Sequence, residues 1–241
     1  MAYIEFKNVT KEYYIEEDTK TALKDISFKI KKGEIILIKG ANGSGKTSIL
    51  NLIASFDKAT NGDILVDKIA LNTLKGKTSS KYIREYIGFV SYDNELINDM
   101  TILENTILSL NLLKEEFDTE NYIQKLGLED KLNYFPSELS ESERIKASLL
   151  CVICKNPKVL LCDEIFLKMN EKDKKQVVKV LKELASKNKI TILITALEDS
   201  NFSFVKQTLT LKDGEIKTNK SNAKAKTARK VTTKAKAKGG K

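Results

Sequence analysis

The chain has 241 residues, 41% of them hydrophobic, enough for one substantial packed domain. It carries no run of about 18 apolar residues that would span a bilayer and no apolar secretory leader at its start. Its three cysteines are too few for a disulfide framework, so a reducing cytoplasm is the expected setting. The formal charge of +9 sits at one end: residues 217–241 hold ten Lys or Arg and no Asp or Glu, and removing that +10 leaves residues 1–216 at −1. The chain has no histidine, which excludes His-based metal sites and His-dependent proton chemistry.

Taken in chain order, Tyr3–Val9 alternates apolar and polar residues, as does Ala22–Ile30 through Leu23, Ile26, Phe28 and Ile30. Both predict half-buried strands. Lys32-Gly33 marks a turn. Ile35–Ile38 is a continuous apolar run that fits a strand buried on both faces. It leads through Gly40–Thr47 into a predicted helix over Ser48–Phe56. A turn at Asn61-Gly62 and strands at Ile64–Val66 and Ile87–Val90 follow. From Thr101 to Lys155 the pattern is helical, with Ile102, Leu103, Ile107, Leu108, Leu110 and Leu112 giving one broad apolar face. Residues 95–156 therefore read as an inserted helical subdomain. Val159–Cys162 is a further buried strand ending on Asp163-Glu164. A helix over Glu171–Lys187, a strand over Ile190–Thr195 and a hairpin over Phe202–Ile216 turning at Asp213-Gly214 complete the domain. The alternation predicts an α/β fold with a mostly parallel sheet, an N-terminal antiparallel β part and the helical insert, and the Gly40-x-x-x-x-Gly45-Lys46-Thr47 loop between strand and helix makes its core a P-loop NTPase core. Residues 217–241, with Val231 as the one aliphatic residue beyond alanine, form a basic tail expected to be disordered. It reads as a solvated terminus, with attachment to anionic lipid or nucleic acid as the sharper alternative.

Gly40-x-x-x-x-Gly45-Lys46-Thr47 matches the phosphate-binding loop in full. Glycines let several backbone N–H groups face one anion, and the helix that follows adds the positive end of its dipole. Lys46 supplies a mobile charge for the β and γ phosphates, and Thr47 a hydroxyl for Mg²⁺. Gly40, Ala41, Asn42, Gly43, Ser44, Gly45, Lys46, Thr47 and Ser48 are the expected contacts to ATP. Asp163, at the end of an apolar strand, is the second expected Mg²⁺ group. Glu164, next to it, is placed to orient or deprotonate the attacking water. Cys151 and Cys154 sit three apart and, with Cys162, read as buried core thiols rather than a redox or metal pair.

This order of elements, with Leu139-Ser-Glu-Ser-Glu143 and Asn156-Pro-Lys-Val-Leu-Leu-Cys-Asp-Glu164, resembles an ABC-transporter ATP-binding subunit over about residues 3–216. Thr21–Phe28, Ile87–Val90 and Leu126–Ser140 are most similar to the lipoprotein-release and macrolide-export branch. The resemblance implies an ATPase on the inner face of the cell membrane, with an integral membrane permease as partner. It also implies a second ATP-binding subunit, identical or different, in a dimer that sandwiches two ATP molecules. Tyr13, beside Tyr14, stands where the family places an aromatic against adenine, and is otherwise a surface strand tyrosine. Ser140 stands where the family contacts the partner's γ-phosphate. Four positions depart from the pattern. Glu141-Ser142 replaces the glycine pair, Tyr92 the glutamine that follows Ile87–Val90, and Ala196 the switch histidine. The loop after Glu164 reads Ile165-Phe-Leu-Lys-Met-Asn170 instead of ending in Leu-Asp. A carboxylate at Glu141 about 4 Å from a phosphate would repel it by about 4 kcal/mol at an effective dielectric near 20. The implied subunit binds ATP but turns it over slowly. A soluble ABC-type regulator, or a catalytically weak structural subunit, is the competing reading.

Overall fold

A computed structural model of the chain describes residues 2–15, 18–93, 96–110 and 118–217. The tail beyond 217 and Leu112 lie outside the described residues. The first two strands, β1 (Ile4–Ile15) and β2 (Asp18–Ile30), pair antiparallel. β3 (Ile35–Lys39) enters the phosphate loop, and α1 (Lys46–Ala54) leaves it, two residues earlier than the predicted helix at both ends. β4 (Asn61–Val66) pairs with β1, and β5 (Ile69–Ala70) with β4. Asn61-Gly62 is thus not a turn but the start of a strand, opposite a register slip in β1 between Lys7 and Thr10. α2 (Lys77–Tyr86) was not legible in the sequence, because its one buried residue is Tyr82.

β6 (Ile87–Ser91) is followed by the helical part: α3 (Ile102–Leu110), α4 (Thr119–Leu126) and α5 (Glu141–Ile153). β7 (Val159–Asp163), α6 (Glu171–Ser186), β8 (Thr191–Ala196), β9 (Gln207–Lys212) and β10 (Glu215–Lys217) close the chain. The sheets follow the expected plan. One has four antiparallel strands in the order β2-β1-β4-β5. The other has six, in the order β10-β9-β3-β8-β7-β6, parallel except for β10. β7 and β8 are buried along their whole length, as continuous apolar runs in a covered parallel sheet must be. Among the described residues no helix is long and apolar enough to cross a membrane.

α3 corrects the predicted apolar face. Leu103, Ile107 and Leu108 are exposed, whereas Ile102, Asn105, Thr106 and Ser109 are buried. Cys151, Cys154 and Cys162 are buried free thiols in the core around α5 and β7, and burial pushes the Cys154 thiol up to about 12.

Candidate nucleotide-binding site

β3, β8 and β7 lie side by side and parallel, so their C-terminal ends open on one edge of the sheet. The phosphate loop follows β3 there, and Asp163 ends β7. The loop is tightly held. A Cβ on Gly40 would come within 2.3 Å of the Leu211 carbonyl, and one on Gly45 within 2.5 Å of the Ala22 carbonyl. Gly45 also has φ of 103°, a conformation that side chains rarely adopt. Those two glycines let the backbone turn from strand into α1 at Lys46.

The four polar side chains expected at the site converge. Thr47 Oγ1 donates to Asp163 Oδ2 at 2.8 Å. Lys46 is buried, and its ammonium donates to the carbonyls of Gly40 and Ala41, each at 3.0 Å. It also pairs with Glu164 Oε1 at 3.2 Å. Glu164 adopts φ of 53°, a left-handed conformation uncommon for a side-chain-bearing residue and common at functional sites. Its backbone N–H is held at 2.9 Å by Thr195 Oγ1, whose hydroxyl donates to Asp163 Oδ1. Ser44 Oγ is buried within the loop and has no hydrogen-bond partner among the described residues. An orphaned hydroxyl inside a loop built to face an anion fits a phosphate-bearing ligand.

Thr195 was missed by sequence reasoning, because a threonine in a buried strand carries no local signal. Fully buried, it ties the carboxylate of β7 to the backbone of Glu164. Thr195→Val is expected to lower unfolding stability by about 1–3 kcal/mol, because it leaves the Glu164 N–H without its acceptor. Urea denaturation checks this, and Thr195→Ser should keep most of the lost stability.

The other expected residues fall around this centre. Tyr13 is half-buried on β1, and its hydroxyl donates to Ser48 Oγ at 3.3 Å. The Lys11 ammonium lies 4.6 Å over the Tyr13 ring and is anchored by Asp57 at 2.7 Å. Tyr14 is 77% exposed. Ser140 caps α5 in a capping box: its hydroxyl donates to Glu143 Oε2 at 2.8 Å and accepts from the Glu143 N–H at 3.3 Å. α5 is fixed to α6 by a second network that the sequence did not suggest, in which buried Lys146 donates to Asp173 at 2.8 Å and to Gln176 at 3.2 Å. Ala196 ends β8 and lines a cavity of about 300 Å³ with Glu164, Phe166, Leu167 and Phe202. The Tyr92 N–H bonds to the Asp163 carbonyl at 3.3 Å.

A glycine-rich loop opening a helix, beside a strand-end carboxylate on a parallel sheet, defines a P-loop nucleotide-binding cassette. The chain belongs to the ABC transporter family, whose model matches residues 23–167. It is an ATP-binding, ATP-hydrolysing subunit of that class, whose members dimerise and work with membrane permease components. It is 33% identical over 218 residues to the ABC transporter ATP-binding protein YxdL of Bacillus subtilis, covering 88% of this chain and 84% of that one. It is 30% identical to the lipoprotein-releasing system ATP-binding protein LolD of Buchnera aphidicola subsp. Schizaphis graminum, covering 88% and 95%. Among solved structures, the dimeric ATP-binding cassette MJ0796 of Methanocaldococcus jannaschii, in a post-hydrolysis state with ADP and Pi, superposes with a TM-score of 0.79. That match has 30% identity and covers 89% of this chain and 97% of the other.

Proposed function

We propose that Gly40–Ser48 binds ATP·Mg, that Thr47 and Asp163 hold the metal, and that Glu164 handles the attacking water in a slow hydrolysis coupled to a separate permease. The observation that carries this is the convergence of Lys46, Thr47, Asp163 and Glu164 on one strand edge. A bound Mg²⁺ would supply charge neutralisation at the phosphate oxygens. Everything else falls to the chain. Lys46, now paired with Glu164, would serve the β and γ phosphates, and Thr47 and Asp163 would be the residues that hold the cation. Glu164, released from Lys46, is then free to accept a proton. Tyr13 offers adenine the ring face opposite Lys11, which by analogy with base stacking would contribute about 1–3 kcal/mol.

Slow turnover follows from the departures. Tyr92 offers a hydroxyl where a glutamine would offer a carbonyl oxygen. The Ala196 side chain cannot donate a hydrogen bond at the end of β8. In the sandwich dimer, Ser140 contacts the partner's nucleotide only when its hydroxyl gives up Glu143. Residues 1–216 act as one ATP-binding domain with its helical part at 95–156. The expected result is a steady-state ATPase rate of the purified homodimer well below that of cassettes with the complete glycine pair, glutamine and histidine. A rate equal to theirs overturns the slow-turnover reading.

A further inference from the structure

Residues from three departing segments meet in space. Tyr92 follows β6, Glu141 opens α5, and Lys168 lies in the loop between β7 and α6. The Lys168 ammonium is 2.8 Å from Glu141 Oε1 and 5.5 Å from the centre of the Tyr92 ring. The hydrogen bond that Lys168 donates to Glu141, and then the charge of that carboxylate, hold the Lys168 ammonium above its ordinary range. Tyr92 in turn is hydrogen-bonded to Asp93, whose carboxylate raises the phenol. These residues and Arg144 line a polar cavity of about 500 Å³, with two cations set against two carboxylates. Each departure weakens the expected site when taken singly. Together they form one charge-balanced contact.

The Lys168 and Glu141 side chains are 42% and 50% exposed, so their pairing adds little to folding stability. What it alters is the charge at the start of α5. A helix N-terminus attracts anions through its free N–H groups and dipole, and an unpaired Glu141 in the first turn would spend that attraction on itself. With Glu141 held by Lys168, the first turn of α5 opposes an incoming phosphate less, and Ser140 can reach that phosphate once its hydroxyl leaves Glu143.

We propose that Lys168 is a positioning residue that makes this altered signature usable: it cancels Glu141 so that α5 of one subunit accepts the triphosphate held by the other subunit's phosphate loop. The proposal rests on the sandwich dimer of the preceding section. It accounts for a signature helix that begins with a carboxylate yet keeps its serine.

The test is ATP-driven dimerisation, followed by sedimentation velocity in an E164Q background that retards hydrolysis. E164Q alone should dimerise with Mg·ATP. Adding K168M should raise the dimer dissociation constant at least tenfold near 0.1 M salt. Adding E141Q as well should bring it back to within about threefold of the parent. Raising the salt to about 1 M, where the screening length falls from about 10 to 3 Å, should relieve the K168M defect. A merely structural role for Lys168 would show neither rescue. Mg·ATP binding to the separate subunits should be unaltered throughout, which controls for misfolding. Dimerisation indifferent to K168M, or a defect that neither E141Q nor salt relieves, overturns the role of Lys168 and leaves the sandwich standing. Absence of any ATP-driven dimer in the parent overturns the sandwich and this role with it.

Discussion

Lys46→Ala is expected to abolish the stabilisation of the protein by Mg·ATP. Lys46 is 4% exposed and makes three contacts: the Gly40 and Ala41 carbonyls at 3.0 Å and Glu164 at 3.2 Å. It is thus a buried cation already in the loop, within a side-chain movement of any phosphate bound there. Its removal acts twice. The phosphates lose a charge-assisted hydrogen bond, worth about 1.5–3 kcal/mol. Glu164 also loses its cation and faces the phosphates with an uncompensated carboxylate. Together these should weaken ATP binding by about 100-fold or more, since 1.4 kcal/mol is a factor of ten. A ligand at 100 times its dissociation constant stabilises the folded state by about 2.7 kcal/mol, and one at its dissociation constant by about 0.4 kcal/mol. The upward shift in unfolding temperature with Mg·ATP should therefore all but vanish in K46A. An undiminished shift would place the nucleotide elsewhere on the chain.

How much of this was legible depended on whether the signal was local. β3, the phosphate loop and α1 could be read because a doubly buried strand, fixed glycines and a helix succeed one another within some twenty residues. β7 could be read because Val159–Cys162 has no polar interruption before Asp163. α3 was misread for a physical reason. Periodicity assumes that apolar residues face inward, but Asn105, Thr106 and Ser109 point to the core because their side chains serve backbone groups. Asn105 serves the amide and carbonyl of Ile97 and the carbonyls of Met100 and Thr101. Thr106 and Ser109 bond to carbonyls one turn back. Bonded in this way, small polar groups cost little to bury, and Leu103, Ile107 and Leu108 are left on the surface. Glu141 was read alone as a repulsive charge. Its partner Lys168 lies 27 residues away, and nothing in a charge-rich sequence marks one lysine as its counterion.

Glu164→Gln is expected to remove ATP turnover while leaving ATP bound at least as tightly as before. Glutamine keeps the size of the side chain and the strained turn at φ of 53°, because the Thr195 hydroxyl holds the backbone N–H of whatever residue stands there. It cannot take a proton from water, and general base catalysis contributes about 10²–10⁴ in rate. β8 ends in Ala196, and the other polar side chains that line the adjoining cavity among the described residues, Lys174, Thr195 and Ser200, include no carboxylate or imidazole to replace Glu164. Tighter binding has its own cause. The Lys46 ammonium is engaged by the Glu164 carboxylate at 3.2 Å, an ion pair that competes with any phosphate for the same cation. Glutamine offers a neutral oxygen instead, so less is lost when Lys46 turns to the phosphates. Steady-state phosphate release and equilibrium binding of a fluorescent ATP analogue separate the two effects. Turnover that survives E164Q within a factor of ten would mean that the residual hydrolysis bypasses Glu164. Weaker binding would mean that the Lys46–Glu164 pair holds the loop open for nucleotide rather than competing with it.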